Sequence, residues 1–206
     1  MIDGFKLHPA YLDRQTQHSL VMEIRACLIA APLFTPALPR SGKPFSVRMS
    51  NAGPLGWVSD QQGGYRYQAH HPVTGSPWPA IPDLVLKIWD DLSGYPAPPE
   101  ACLINWYGPD ARMGLHQDKD EAARDAPVLS ISLGDTALFR IGAAVKGTPT
   151  RSLRLSSGDV ALLSGDARES RHGIDRLMPG TSTLLDAPGR INLTLRRVTL
   201  PATPPG

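Results

Sequence analysis

PVLSISLGDTALFRIG, residues 127–142, is the stretch that decides the fold. Two short runs rich in β-branched and aromatic side chains, 127–133 and 136–142, flank the turn LGD, and a period of two argues strands. The same texture extends outward to ACLINWY (101–107), SLRL (152–155), DVALLS (159–164) and RINLTLRRV (190–198). GPDARMG, SSGD and SGD punctuate these runs as turns. Many short strands at this spacing predict a β-sandwich or barrel over residues 100–200.

The N-terminal half reads differently. Leu20, Val21, Ile24, Cys27, Leu28 and Ala31 recur at helical spacing, so a helix is expected over 15–31, capped by Asp13 and stopped by Pro32. A second is expected over 82–93, with Leu84, Val85, Ile88, Trp89 and Leu92 on one face, ended by SGYPAPP. Between them, residues 32–80 read as irregular, holding GPLGW (53–57), QQGGYRY (61–67) and SPWPAIP (76–82). Long structureless stretches are uncommon in compact domains unless they are lids or disordered, and Trp57, Tyr65, Tyr67 and Trp78 argue against disorder. The expected organisation is one compact unit: an extension over 1–99, a core over 100–200 and a frayed tail over 201–206.

Bulk composition excludes several classes. Lys+Arg number 21 against 19 Asp+Glu, a net charge of +2, so no half of the chain is a basic glove, and nucleic-acid binding would depend on local placement. Cys27 and Cys102 form no CxxC and read as buried thiols in a reducing, cytoplasmic setting. The apolar stretch 20–34 contains Glu23 and Arg25, which argues against a membrane span. No GxSxG, HExxH, GxGxxG or GxxxxGK[ST] occurs.

LHQDKDE (115–121) places His116 and Asp118 two positions apart, on one side of an extended segment. His172, in SRHGI, follows far enough on for the chain to return across a barrel. Two histidines and one carboxylate on one face, with positions left open, is the site of non-haem Fe(II) oxygenases. Alone, HxD is weak evidence, more often a solvated loop than a ligand pair. The adjacent His70 and His71 lack a partner carboxylate at sensible spacing.

RINLTLRRV raises the odds. Arg190, Asn192, Thr194 and Arg196 alternate with Ile191, Leu193 and Leu195. That polar face is either a solvated exterior or the lining of a barrel. Asn105 and Tyr107 share a face of 101–107. If both polar sets point inward, the arginines suit a dicarboxylate, because guanidinium pairs with carboxylate bidentately. 2-Oxoglutarate carries two carboxylates and an iron-chelating keto group, so metal site and pocket explain each other.

NWYGPDARMGLHQDKDE, then SRHGI, then RINLTLR resemble the AlkB family of Fe(II)/2-oxoglutarate-dependent dioxygenases, and GPLGW, GYRY and SPWPAIP resemble its bacterial nucleotide-recognition lid. The resemblance runs from about residue 47 to 198. It implies an α+β, mainly β fold, with a double-stranded β-helix (jelly-roll) core, N-terminal helices and that lid. It assigns His116, Asp118 and His172 to Fe(II), and Asn105, Tyr107, Arg190, Asn192 and Arg196 to 2-oxoglutarate. Trp57 and Tyr65 match the lid aromatics at the damaged base; the Trp57–Tyr65 interval is one residue longer than the best-known bacterial pattern, leaving Tyr67 as an alternative. Asp120 would favour a cationic base. A substrate-site arginine falls at Arg151, preferred to Arg154. The implied reaction, with O2, is oxidative demethylation of 1-methyladenine and 3-methylcytosine in single- or double-stranded DNA or in RNA, releasing formaldehyde, succinate and CO2. The expected state is a monomer away from any membrane. A hydroxylase of a small molecule or protein side chain would share every core residue and differ in the lid; a β-barrel binding module that has lost its chemistry is argued against by the intact triad.

Overall fold

The computed structural model describes residues 2–201, so the tail beyond residue 201 lies outside the described residues. One long helix and fourteen short elements occur among the described residues. They are β1 (Phe5–His8), α1 (Arg14–Ala30), β2 (Arg48–Ala52), β3 (Gly56–Asp60), β4 (Gly64–Gln68), α2 (Asp83–Leu92), β5 (Ala101–Tyr107), β6 (Met113–His116), β7 (Val128–Gly134), β8 (Thr136–Gly142), β9 (Thr150–Leu155), β10 (Val160–Leu163), α3 (Gly165–Arg168), β11 (Arg171–Met178) and β12 (Arg190–Arg196). A six-stranded sheet runs β1-β10-β7-β12-β5-β2, a four-stranded one runs β6-β11-β8-β9, and β3-β4 form a hairpin. The two larger sheets carry the jelly-roll core.

The inner faces of both sheets meet in one apolar cluster that includes Leu103, Val128, Phe139, Leu155 and Leu163. The outer face of the six-stranded sheet does not meet water. Ile104, Leu129, Ile131, Ile191, Leu193 and Leu195 pack there against Leu20, Val21 and Ile24 of α1 and Val85, Ile88 and Trp89 of α2. Burying side chains of this size contributes roughly 1.5–3 kcal/mol each. The helices thus fix which face of β12 is which: its apolar set is outward under the helices, and its polar set is inward. The solvated-exterior alternative for Arg190 and its neighbours is excluded.

Helix α1 starts where Asp13 accepts the Thr16 amide at 2.7 Å, as an N-cap should. Both helices and the strands at 101–107 and 136–142 form within a residue of expectation. The irregular reading of 32–80 is corrected, since β2, β3 and β4 lie within it. In β2 and β3 the alternation is hidden because polar residues are buried and satisfied by backbone of other segments. Ser50 donates to Ala31 O at 2.7 Å, and Asn51 exchanges hydrogen bonds with the Trp57 backbone at 3.0 and 3.1 Å. Strand β6 begins inside GPDARMG, which reads as a turn, and β11 has no counterpart among the expected strands; their pairing shifts register after His172. The six-stranded sheet also crosses the expected boundary at residue 99, because β1 pairs with β10 and β2 with β5. Among the described residues, no helix is long and apolar enough to cross a membrane. Cys27 and Cys102 are free and buried.

Candidate active site

The four-stranded sheet brings the metal candidates together. His116 on β6 sits directly across from His172 on β11. The approach depends on Gly173: a Cβ there would lie 2.5 Å from Met113 O and 2.8 Å from Gly114 O, both backbone atoms. Asp118 follows β6 by two residues. Ligand atoms of His116, Asp118 and His172 all lie within 4.8 Å of one another. Each imidazole Nε2 faces one carboxylate oxygen, His116 at 3.6 Å from Oδ1 and His172 at 3.7 Å from Oδ2.

Each ring is oriented from behind. His116 Nδ1 contacts Gly114 O at 2.9 Å and His172 Nδ1 contacts Ser170 O at 3.3 Å. A carbonyl partner calls for Nδ1–H, which leaves the Nε2 lone pair of a neutral ring aimed at the centre. Burial pushes the His172 imidazole down to about 4, so it is neutral at physiological pH. Burial opposes ionisation of Asp118, but Arg196 and then the two histidines hold its carboxyl well below the usual carboxylate range. Its Oδ2 is buried without any hydrogen-bond partner. A buried, unsatisfied carboxylate oxygen beside two aimed imidazole nitrogens is the environment a divalent cation satisfies, and the donor set fits Fe(II).

All the expected metal and 2-oxoglutarate residues, with Trp57, Tyr65 and Asp120, line one cavity of about 620 Å³ between the sheets and the hairpin; Arg151 does not. Arg190 at its inner end is fully buried. It donates to Asp135 O at 3.3 Å, Leu155 O at 3.1 Å and Ser132 Oγ at 2.6 Å, while its Nε has no partner. Burial pushes this guanidinium down to about 10, still charged at neutral pH. It is a buried cation with no carboxylate within hydrogen-bond reach, a state that favours an anionic ligand. Tyr107 lies directly across from it and burial pushes its phenol up to about 12, so it remains an O–H donor. Asn105 and Asn192 are also paired across β5 and β12, with Asn192 donating to Ser130 Oγ at 2.7 Å. Ser130 shares this lining and Ser132 anchors Arg190 from beside it; the alternation of LSISL puts the two on one face.

Arg196 is differently engaged. It donates to Asp118 Oδ1 at 2.8 Å, Glu121 Oε1 at 2.9 Å and Tyr67 Oη at 3.1 Å. Glu121 and Tyr67, both away from the cavity lining, therefore brace it. That separates the two tyrosines: Tyr67 is tied into this buried network, whereas Tyr65 is half-exposed and lines the cavity. Trp57 stacks on Tyr65 with centroids 5.7 Å apart and 21° between planes, and its indole N–H donates to Asp120 Oδ2 at 2.8 Å. Phe45, which the sequence reading did not single out, tilts against Trp57 at 6.3 Å from the cavity side. It carries no motif to mark it.

Arg151 and Arg154 are both exposed, and register separates them. Arg151 is paired with Ile141, which is paired with His172, so these three residues form one row on the inner face. Two strand spacings put Arg151 roughly 10 Å from His172 along that row. Arg154 pairs with Leu138 on the opposite face. His71 is structural: its ring bridges Pro32 O at 2.7 Å and the amides of Val73 and Thr74.

A jelly roll with two histidines and a carboxylate at one end of an arginine-floored cavity defines an iron- and 2-oxoacid-dependent oxygenase. The family described as the 2OG-Fe(II) oxygenase superfamily matches residues 4–196. The chain is 52% identical over 197 residues to an alpha-ketoglutarate-dependent dioxygenase AlkB homolog of Caulobacter vibrioides, covering 96% of this chain and 89% of that protein. It is 39% identical over 183 residues to the alpha-ketoglutarate-dependent dioxygenase AlkB of Escherichia coli, covering 86% and 83%. The solved structure of OsALKBH1 superposes with a TM-score of 0.82 at 30% identity, covering 96% of this chain and 99% of that one. The chain belongs to the AlkB family of Fe(II)/2-oxoglutarate-dependent dioxygenases.

Proposed function

We propose that this dioxygenase removes methyl groups from the ring nitrogens of 1-methyladenine and 3-methylcytosine in nucleic acid. The observation that carries the reading is that the metal triad and the Trp57–Tyr65 pair open onto one cavity, bridged by Asp120 two residues beyond Asp118. His116, Asp118 and His172 would hold Fe(II). Arg190, with Tyr107 opposite it, and Arg196, fixed on Asp118 beside Asn192 and Asn105, would hold the two carboxylates of 2-oxoglutarate, Arg196 being the arginine next to the metal ligands. Fe(II) and 2-oxoglutarate would supply, with O2, the oxidant for hydroxylating the N-methyl carbon, 2-oxoglutarate leaving as succinate and CO2; the hydroxymethyl product then sheds formaldehyde.

The remaining residues select and hold the base. A base must leave the stack to be reached. An aromatic wall at Trp57 and Tyr65 attracts a cationic alkylated ring, and the second oxygen of Asp120 favours its charge. Lys43 and Arg112 are exposed and line the same cavity, and with Arg151 they would contact flanking phosphates. The partner is methylated single- or double-stranded DNA or RNA, and the chain acts as a monomer in the cytoplasm. A small-molecule or protein hydroxylase would need neither the aromatic pair nor Asp120. The test is anaerobic assembly with Fe(II) and 2-oxoglutarate, then O2 and oligonucleotides carrying either lesion, in matched single- and double-stranded DNA and RNA. Formaldehyde stoichiometric with succinate is expected; succinate formation driven by another substrate, with no formaldehyde from any oligonucleotide, refutes the reading.

A further inference from the structure

We propose that Arg168 is a positioning residue of the metal centre that holds Asp118 in place from behind. Arg168 is the last residue of α3, a single turn between β10 and β11, and its side chain is buried. It does not line the cavity itself. All three guanidinium nitrogens are committed: Nε to Ala126 O at 3.1 Å, Nη1 to Asp118 O at 2.8 Å and Nη2 to Glu121 Oε2 at 2.8 Å. All three acceptors belong to the loop between β6 and β7, which carries Asp118 and has no strand partner. One side chain therefore ties three points of this loop together, beside the Ala122 and Ala123 amides that donate to Val198 O.

Its hold on Asp118 is double. The main-chain carbonyl is gripped directly. The carboxylate is gripped through a relay, because the Glu121 oxygen not facing Arg168 accepts from Arg196 at 2.9 Å, and Arg196 donates to Asp118 Oδ1 at 2.8 Å. Arg168, Glu121, Arg196 and Asp118 alternate in charge around this circuit. Without Arg168, Glu121 would keep one arginine instead of two and compete with Asp118 for it. The same guanidinium relates both ligand segments, since His172 follows it by four residues on β11. Gln117, between the first two ligands, donates to Glu169 O at 2.6 Å and Arg124 pairs with Glu169. Buried ion pairs of this kind are weak contributors to net stability compared with apolar replacements, so its value lies in where it puts Asp118. The inference rests on the triad as a metal site and is independent of the substrate.

The test compares Arg168→Met and Arg168→Lys with Leu20→Ala, a destabilising control on α1, buried against the outer face of the six-stranded sheet and away from the cavity. Co(II) affinity and the visible d–d absorption of the bound ion are read, with thermal unfolding in parallel. Outer partners of metal ligands are typically worth about 10- to 100-fold in metal affinity, and that weakening with altered d–d bands is expected for Arg168→Met. Arg168→Lys, which restores the charge and one or two of the bonds, recovers part of it. Leu20→Ala lowers the unfolding temperature while keeping Co(II) affinity within about twofold of wild type. Wild-type affinity and spectrum in Arg168→Met overturn the proposal, as does an equal loss in Leu20→Ala. Should Arg168→Met not fold, Arg168→Lys is read by the same criteria, with a several-fold loss expected and wild-type behaviour decisive against. Co(II) binding to wild type that survives His116→Ala would overturn the triad and the proposal together.

Discussion

Replacing Arg190 by lysine isolates the assignment of the cosubstrate pocket. The charge survives, but the planar fork does not. Arg190 spends Nη1 on Asp135 O and Leu155 O and Nη2 on Ser132 Oγ, and only Nε is left without a partner. A dicarboxylate approaching from the cavity meets that Nε and the Nη2 beside it. A lysine ammonium cannot keep the three protein contacts and also present two parallel donors. A hydrogen bond to a charged group is worth roughly 1.5–3 kcal/mol, which converts to about 10- to 100-fold in binding. The expected result is a rise of that size in the KM for 2-oxoglutarate, with kcat at saturating 2-oxoglutarate changed little and Co(II) affinity unchanged. Succinate formation at varied 2-oxoglutarate gives the first two quantities, and metal titration gives the third. A KM within about twofold of wild type would refute the pocket; loss of metal affinity instead would mean that Arg190 serves the triad.

Three further outcomes follow from the geometry. Gly173→Ala drives a Cβ into backbone oxygens of β6 at 2.5 and 2.8 Å, so His116 must move; metal affinity should fall sharply while circular dichroism stays native, and unaltered affinity would contradict the close approach. Arg151→Ala should lower the dependence of oligonucleotide affinity on log salt by about one unit, whereas Arg154→Ala, on the outer face, should leave it alone; equal effects would sink the register argument. Burial would raise the Glu121 carboxyl, but Arg196, the Tyr67 hydroxyl and Arg168 hold it below its ordinary 4.5. A depressed folded value contributes stability above pH 4.5 that is lost as pH falls through the folded value. The unfolding temperature should therefore fall below that pH, and Glu121→Gln should flatten the fall; an unchanged slope would show that Glu121 does not carry it.

The sequence by itself determined local parity and composition. Alternation in 101–107 and 190–196 set which side chains share a face, HxD put His116 beside Asp118, and apolar spacing located both helices. Those features depend on neighbours a few residues away, and so they survive in a one-dimensional reading. Tertiary structure decided what parity leaves open. Whether Arg190 and Asn192 face water or a cavity depends on α1 and α2 covering the opposite face of the sheet. Arg151 is separated from Arg154 by its row with Ile141 and His172, and Tyr65 from Tyr67 by the Glu121–Arg196 pair that captures Tyr67. Strand β2 stayed hidden because its Ser50 and Asn51 are buried polar residues satisfied by backbone of neighbouring segments. Arg168 is the extreme case: nothing around it in sequence marks it, and its importance arises because folding carries a one-turn helix onto the loop that bears Asp118.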